Sequence, residues 1–494
     1  MNEHIVEGRP GAVALLFLRD TMKRHLAVAF ALVCLAVNAQ TYNVLDYGAA
    51  RDTLHLSTEA FQRAVDDCAS NGGGTVIVPA GDYLSAAFFL KDNVDLHLSA
   101  GATIFASRRT EDYTSHIVVG AGDMGRVEVL VAAANARNVS ISGTGTLNCR
   151  AVREGYRRKP QVRVADSITG REIANAARYG ADYQSKFRKV PPCTGAVNFT
   201  GCTDVHISDV NVVEANGWSV HLQWCDRVSV HGVHIMSSGE NGVNADGLDV
   251  DGCSNVTISD CIINTGDDAL CIKTTLKEGR TEPCRWITVT GCILTSSSAA
   301  LKIGTESHSD FENITVTGCV IRDANRGLNM IIRDGGVVRN VVFSNLIINT
   351  VRKATFWWGN GDPLWFTIQK RGDIPSAGGI ENVTISNVIA HGQSGVRLEG
   401  FDGRMKNVRV RDFQLFMHAE QAVDKRARNA YKFYGVDGLS LVDCSVVWDK
   451  DNPEEEWESA FFFESVKGLE TERVKGEAAP NGRYDAFRYV DVER

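Results

Sequence analysis

The chain has 494 residues, with 52 Lys and Arg against 60 Asp and Glu and a formal charge of -8. That acidic balance argues against a general nucleic-acid binder, though not against local basic patches. Past the N-terminus no apolar run is long enough to span a membrane.

The first readable element is a leader. Met22-Lys23-Arg24-His25 supplies a positive start, Leu26 to Val37 an apolar stretch, and Val37-Asn38-Ala39 a small-residue cleavage site before Gln40. Residues 1–39 therefore read as an over-long start plus signal peptide. Residues 40–494 read as one exported domain, periplasmic or secreted, and a monomer. Ser57 to Ser70 alternates in the helical manner (Phe61, Ala64, Val65, Cys68) behind Ser57-Thr58, and Asn71-Gly72-Gly73-Gly74 stops it. Thr75-Val76-Ile77-Val78-Pro79 then begins strands. A short helix covering the open end of a stack of strands is its natural role.

From there a short phrase recurs. Asn138-Val139-Ser140-Ile141-Ser142-Gly143 is echoed at Asp204, Arg227, Asn255, Trp286, Asn313, Asn340, Asn382 and Asn407, mostly about 23 to 31 residues apart. Within each unit Val or Ile alternates with Ser, Thr or Asp, the mark of strands with one buried face. An all-β chain of this period is predicted to be a right-handed single-stranded parallel β-helix, each coil burying its apolar face only against its neighbours. Cys261, Cys292, Cys319 and Cys444 each end the phrase, so an inward ladder of free thiols is expected, with Cys193 and Cys202 the exception. The Asn-x-Ser/Thr sites sit where a coil opens, and an Asn bonding its own turn backbone accounts for them. No Cys/His zinc spacing appears, and no metal or cofactor is expected.

Two segments break the period, at about 150–195 and 350–380. Residues 150–189 hold eleven Lys and Arg against four acids, a net +7, which suits a lid or wall that attracts an anionic substrate. The second carries Phe356-Trp357-Trp358 and Leu364-Trp365 near Gln369-Lys370-Arg371, indoles to stack on sugar faces and cations to hold uronates. An insertion there would close one end of a cleft and make an enzyme exo-acting. The irregular acidic stretch from Asp451 to Glu458, with the residues after it, should close the far end of the helix.

The chemistry is expected between Asn244 and Asp268. Asn244-Ala245-Asp246-Gly247 is followed about 20 residues on by Gly266-Asp267-Asp268, with a strand, a turn and a strand between. A coil advances about 4.8 Å, so Asp246 and Asp267 on adjacent coils would sit several ångströms apart, in the range of glycosidase carboxylate pairs. Close carboxylates raise one another's pKa, which suits a general acid kept protonated near neutrality. A polar turn is the plainer reading of Asp267-Asp268 taken alone.

These residues resemble the signature of glycoside hydrolase family 28, the polygalacturonase and rhamnogalacturonase family. Tyr42-Asn43-Val44-Leu45-Asp46-Tyr47-Gly48-Ala49, Gly72 to Gly81, and Asn216-Gly217-Trp218-Ser219-Val220-His221 resemble other parts of it. The resemblance implies hydrolysis with inversion, with Asp267 as general acid and Asp246 and Asp268 holding and deprotonating the attacking water. It implies an anionic plant cell-wall oligosaccharide as partner. Two departures stand out. The family's Gly-His-Gly motif would precede Leu301-Lys302-Ile303-Gly304, where this chain has Ser298-Ala299-Ala300, and His308 lies nine residues later. The family's Arg-Ile-Lys motif would follow Gly327-Leu328, where this chain has Asn329-Met330-Ile331; Arg326, Arg333 and Lys302 are nearby but out of register. Losing those cations fits a neutral leaving group such as rhamnose. Lys273, Lys302, Arg333, Trp218, Lys370 and Arg371 are then the candidate substrate-binding residues. A pectic lyase or epimerase on the same fold, or a non-catalytic carbohydrate-binding β-helix, are the competing readings.

Overall fold

The computed structural model describes residues 40–113, 128–151, 156–158, 187–189, 192, 194–239, 242–353, 357, 359–420 and 425–494. The expected leader, Cys193, Phe356, Trp358 and most of the basic segment lie outside them. Tyr42–Arg494 forms one unit, a right-handed parallel β-helix whose coils are built of short strands. One coil runs Leu248–Asp251, Ser254–Ser259 and Ile262–Thr265; the next runs Leu270–Thr274, Cys284–Thr290 and Ile293–Ser296. All three strand pairs are parallel and in register, for example Val250 with Ile272, Val256 with Ile287 and Ile263 with Leu294.

Because side chains alternate across a strand, the same register position faces inward on every coil. Leu222, Val250, Ile272, Ile303, Met330, Phe366, Leu398, Phe433 and Phe463 form such an inward column, each fully buried. Each member contributes about 1.5–3 kcal/mol through removal from water. A charge placed in this column would have no partner, and it would separate the two neighbouring coils.

At the N-terminal end the helix Thr58–Ser70 buries Phe61, Ala64, Val65 and Cys68. Phe61 stacks on Phe88 at 5.0 Å and meets Tyr83 edge-on at 5.9 Å. The Gln62 amide donates to the Phe89 carbonyl at 3.1 Å and accepts from the Phe89 N–H at 2.8 Å, so an edge strand finds a side-chain partner. Ser57 precedes the helix but does not cap it; its hydroxyl accepts instead from the Ala50 N–H.

Four expectations change here. The Asn residues that open coils have left-handed backbone, with φ of 61° at Asn313, 60° at Asn340, 56° at Asn382 and 50° at Asn407. Their side chains bond one another from coil to coil rather than their own turns: Asn340 to Asn313 at 3.1 Å, Asn382 to Asn340 at 3.2 Å, Asn407 to Asn382 at 2.7 Å. Cys202 is a buried free thiol, as are the other ten cysteines among the described residues, and no pair with it is formed. The stretch at 350–380 is only partly an insertion, since Asp362–Ile368 is a regular rung paired with Arg326–Ile332 and Val396–Glu399. The coils also continue beyond Glu458, through Phe461–Glu472 and Phe487–Val492, where Tyr431, Phe461 and Phe487 stack at 4.5 and 5.1 Å.

Candidate active site

Each coil passes from its last outer strand into the next inner rung through a turn, and these turns form a line along the helix. Asp246 lies in the turn before Leu248–Asp251, and Asp267 and Asp268 lie in the turn before Leu270–Thr274. Leu248 pairs with Leu270, so continuing the register sets Asp246 beside Asp268 rather than beside Asp267. The Gly247 N–H donates to the Asp268 carbonyl at 2.9 Å and locks that alignment. Asp267 is turned out of the ladder because its carbonyl accepts from Thr265 Oγ1 at 2.7 Å and Ser296 Oγ at 2.6 Å. Gly266 is required by close approach: a Cβ there would meet the Ser238 carbonyl at 2.1 Å and Gly242 Cα at 2.6 Å.

The three carboxyls are 4%, 6% and 2% exposed at Asp246, Asp267 and Asp268, yet their surroundings differ. Asp267 accepts backbone N–H groups from Asn244 at 2.9 Å and Asp268 at 3.0 Å. Burial, and then the charge of Asp268, still push it above the ordinary carboxylate range. Burial acts on Asp268 too, but Lys302 and Arg326 more than reverse it, and this carboxyl is held below its ordinary value. Its Oδ2 lies 2.6 Å from Lys302 Nζ; its Oδ1 accepts from the Ala299 N–H at 3.2 Å and lies 3.8 Å from Arg326 Nη2. Asp246 is pushed well above its ordinary value by burial, against the pull of Lys273.

Lys273 is divided between two acids. It lies 2.7 Å from Asp249 Oδ1 and 3.3 Å from Asp246 Oδ2, with its ammonium 3.7 Å from the Trp218 ring centroid. Trp218 meets His221 edge-on at 4.8 Å. His221 is held between Asn198 and Asp251: the Asn198 amide is 2.9 Å from Nδ1 and Asp251 Oδ2 is 3.1 Å from Nε2. The ring therefore bridges the Asn198 amide and the Asp251 carboxylate, which fixes its orientation. Asp251 also accepts from Gln223, the Thr275 N–H and the Thr275 hydroxyl. Burial would raise it, but His221 and Thr275 hold it below its ordinary value.

Asp246, Asp249, Asp267 and Asp268 thus face Lys273, Lys302 and Arg326, and the buried Glu306 acts on both lysines as well. Burial pushes Asp246, Asp249 and Asp267 up while the cations pull Asp268 down, which favours keeping the cluster's protons on the first three.

Of the candidate binding residues, the structure brings Lys273, Lys302 and Trp218 to the acids. Lys273 is 2% exposed and the Lys302 side chain 12%, so neither is a surface lysine. Arg371 stands one step out, with its Nε 3.1 Å from Asp334 and its Nη2 3.8 Å from Glu306. The Arg333 backbone belongs to the same corner, its N–H donating to Ser307 Oγ and its carbonyl accepting from the Arg371 N–H. Lys370 is exposed. His308 lies 3.8 Å from Asp334, at that corner. Trp365 belongs to a regular rung, where its Nε1 donates to Glu399 at 2.8 Å and Arg397 packs on its ring at 4.5 Å.

Two residues of the cluster carry roles that sequence reasoning does not give them. Arg326 is out of register with any motif, but its long side chain reaches back across a coil. Asp249 reads in sequence only as part of a strand; its signal is a second acid three positions after Asp246. The basic segment leaves the helix after Thr146–Asn148 and returns at Thr194–Thr200 through an antiparallel pair, Tyr156–Arg158 with Phe187–Lys189. Its departure is in the same line of turns as the acids, two coils before Asp246 and three before Asp267-Asp268.

The sequence model for glycosyl hydrolases family 28 matches residues 68–423. A probable polygalacturonase of Vitis vinifera is 23% identical over 359 residues, 69% of this chain and 67% of that protein. An exo-poly-alpha-D-galacturonosidase of Dickeya chrysanthemi is 25% identical over 253 residues, 46% of this chain, which spans only 41% of that protein. Among solved structures, the family 28 exopolygalacturonase of Yersinia enterocolitica superposes with a TM-score of 0.64 at 18% identity, covering 92% of this chain and 78% of that one. At that identity the likeness bears on the fold.

Proposed function

Because the chain belongs to glycosyl hydrolase family 28, we propose that it is an exported enzyme that hydrolyses a glycosidic bond in pectin-derived oligosaccharides containing uronate or rhamnose. Asp267 is the general acid that protonates the leaving oxygen. Asp268 and Asp246 border the attacking water, which enters from the opposite face of the sugar and inverts the anomeric centre. One observation carries this reading: adjacent carboxyls of one turn lie in opposite surroundings, Asp268 against Lys302 and Arg326 and Asp267 against backbone N–H groups, with Asp267 pushed above and Asp268 below the ordinary carboxylate range. Pairs of carboxyls pushed apart in this way can donate and accept protons at the same pH.

The relative named as exo-acting favours release from a chain end. The basic segment departs from the same line of turns, which supports a wall or lid that draws in an anionic chain. Ser298-Ala299-Ala300 and Asn329-Met330-Ile331 offer no cation in register for a leaving uronate, which favours a neutral sugar such as rhamnose in that position. The test is incubation with homogalacturonan and rhamnogalacturonan I and II fragments, with products read by mass and anomeric NMR. Inverted product from one fragment class is the expected result. An unsaturated product absorbing in the ultraviolet would replace hydrolysis with elimination, and no product from any fragment would favour a binding protein.

A further inference from the structure

Lys302 stands on the strand Ala299–Ser307, in register between Cys271 and Asn329. Its ammonium does not project along its own coil but reaches the preceding turn, 2.6 Å from Asp268 Oδ2. Arg326, 3% exposed, approaches the other oxygen of the same carboxylate. Its guanidinium is steered there by Ser298 Oγ at 2.6 Å and Asn329 Oδ1 at 3.1 Å. Ser298 and Ala299 stand where the family pattern would place a glycine and a histidine, so the space beside Asp268 is held by a guanidinium and an ammonium instead.

Resting on the hydrolase reading above, we propose that Lys302 and Arg326 are positioning residues that keep Asp268 ionised and aimed, and so make Asp268 the acceptor of the water's proton in place of an arrangement built on histidine. Lys302 is then not a ligand of a substrate uronate, because its charge is already committed. The charged and titratable groups facing Asp268 are Asp246, Asp249, Asp267, Cys271, Lys273, Lys302 and Arg326. Lys302 is the cation in direct hydrogen-bonding contact with it. Removing an adjacent cation raises a carboxyl's pKa, so the acidic limb of the rate profile must move to higher pH.

The experiment uses the full chain labelled with carboxyl-13C aspartate, with the Asp268 signal assigned through D268N. Its titration is followed by NMR in wild type, K302M and K302R. In K302M the midpoint should rise by about one pH unit or more, while K302R stays near wild type. In parallel, kcat should fall about tenfold or more in K302M, with KM changed less than about threefold and the acidic limb of kcat/KM displaced upward. An unmoved midpoint in K302M overturns the proposal, as does a loss confined to KM, the signature of a substrate ligand. Should K302M fail to fold by circular dichroism, R326K is read the same way, with a smaller upward shift expected and no shift overturning the idea. If wild type releases no sugar, the hydrolase reading falls, and the titration still decides whether Lys302 governs Asp268.

Discussion

The Asp268 N–H donates to Asp267 Oδ1 at 3.0 Å, so two neighbouring carboxyls are joined through one backbone bond while cations touch only the second. On the proposed reading this asymmetry separates their chemistry. Asp267→Asn removes the acid but keeps its shape, and turnover should fall by at least about 10²-fold with the circular dichroism spectrum unchanged. Near-normal release of sugar by this variant would remove Asp267 from the mechanism.

The same asymmetry sets a pH profile. The rate should be lost at high pH as the raised Asp267 gives up its proton, and at low pH as the lowered Asp268 gains one. Asp267→Asn leaves one backbone N–H without an acceptor, a cost that does not vary with pH, but its stability relative to wild type should improve as pH rises from acid to neutral. A carboxyl raised in the folded state stabilises the fold below its unfolded pKa, and that contribution is lost as pH rises through the folded value. A difference in melting temperature that does not change with pH would contradict this.

Asp251 works in the opposite sense. Its lowered value contributes stability that is present above the unfolded carboxylate pKa and lost as pH falls through the folded one. Asp251→Asn should therefore cost most at neutral pH and little in acid. Thermal melts between about pH 3 and 7 check this, and a penalty that does not vary with pH would show that packing alone is at work.

Gly266→Ala puts a methyl against the Ser238 carbonyl, which is backbone and cannot step aside. The turn must shift, so activity should fall about 10²-fold or more from misplacement of Asp267. Gly403→Ala, where a Cβ meets nothing within 4 Å but the backbone is left-handed, should lose stability without losing the site. Equal kcat losses in the two variants would disprove the steric argument.

In the asparagine ladder, Asn340→Ala loses both a residue tolerant of left-handed backbone and two side-chain hydrogen bonds. A cost of about 1–3 kcal/mol is expected in denaturant unfolding, while Asn340→Gly should cost less because glycine accepts the backbone. Identical costs would mean the left-handed φ contributes nothing.

Much of the fold was legible because Val and Ile alternate with Ser and Thr at period two, and because an inward position on one coil is inward on all. The Asp trio was legible through the near one-coil spacing of its two clusters and the family resemblance, since Asp267-Asp268 alone reads as a polar turn. Other features were hidden for physical reasons. Asp246 aligns with Asp268 rather than Asp267 because the register is set by Leu248 and Leu270, beyond the turn. Asp362–Ile368 was masked by Pro363 and by a long preceding loop, and Phe461-Phe462-Phe463 reads as a bare aromatic run although two of its rings face inward. Arg326 was invisible as a site residue because only a long side chain crossing from a later coil puts it there. The ladder between Asn313 and Asn407 was seen as repeated letters, but bonding from rung to rung depends on stacking that only the folded helix supplies.

The pairing of Gln62 with Phe89 has a consequence at a larger scale. A solenoid is periodic along one axis, and an unfinished period can be continued by a second molecule, rung on rung, into a fibre. One glutamine amide occupies the backbone donor and acceptor of Phe89 that would otherwise stand open on this strand. Its substitution bears less on melting temperature than on whether concentrated solutions stay clear.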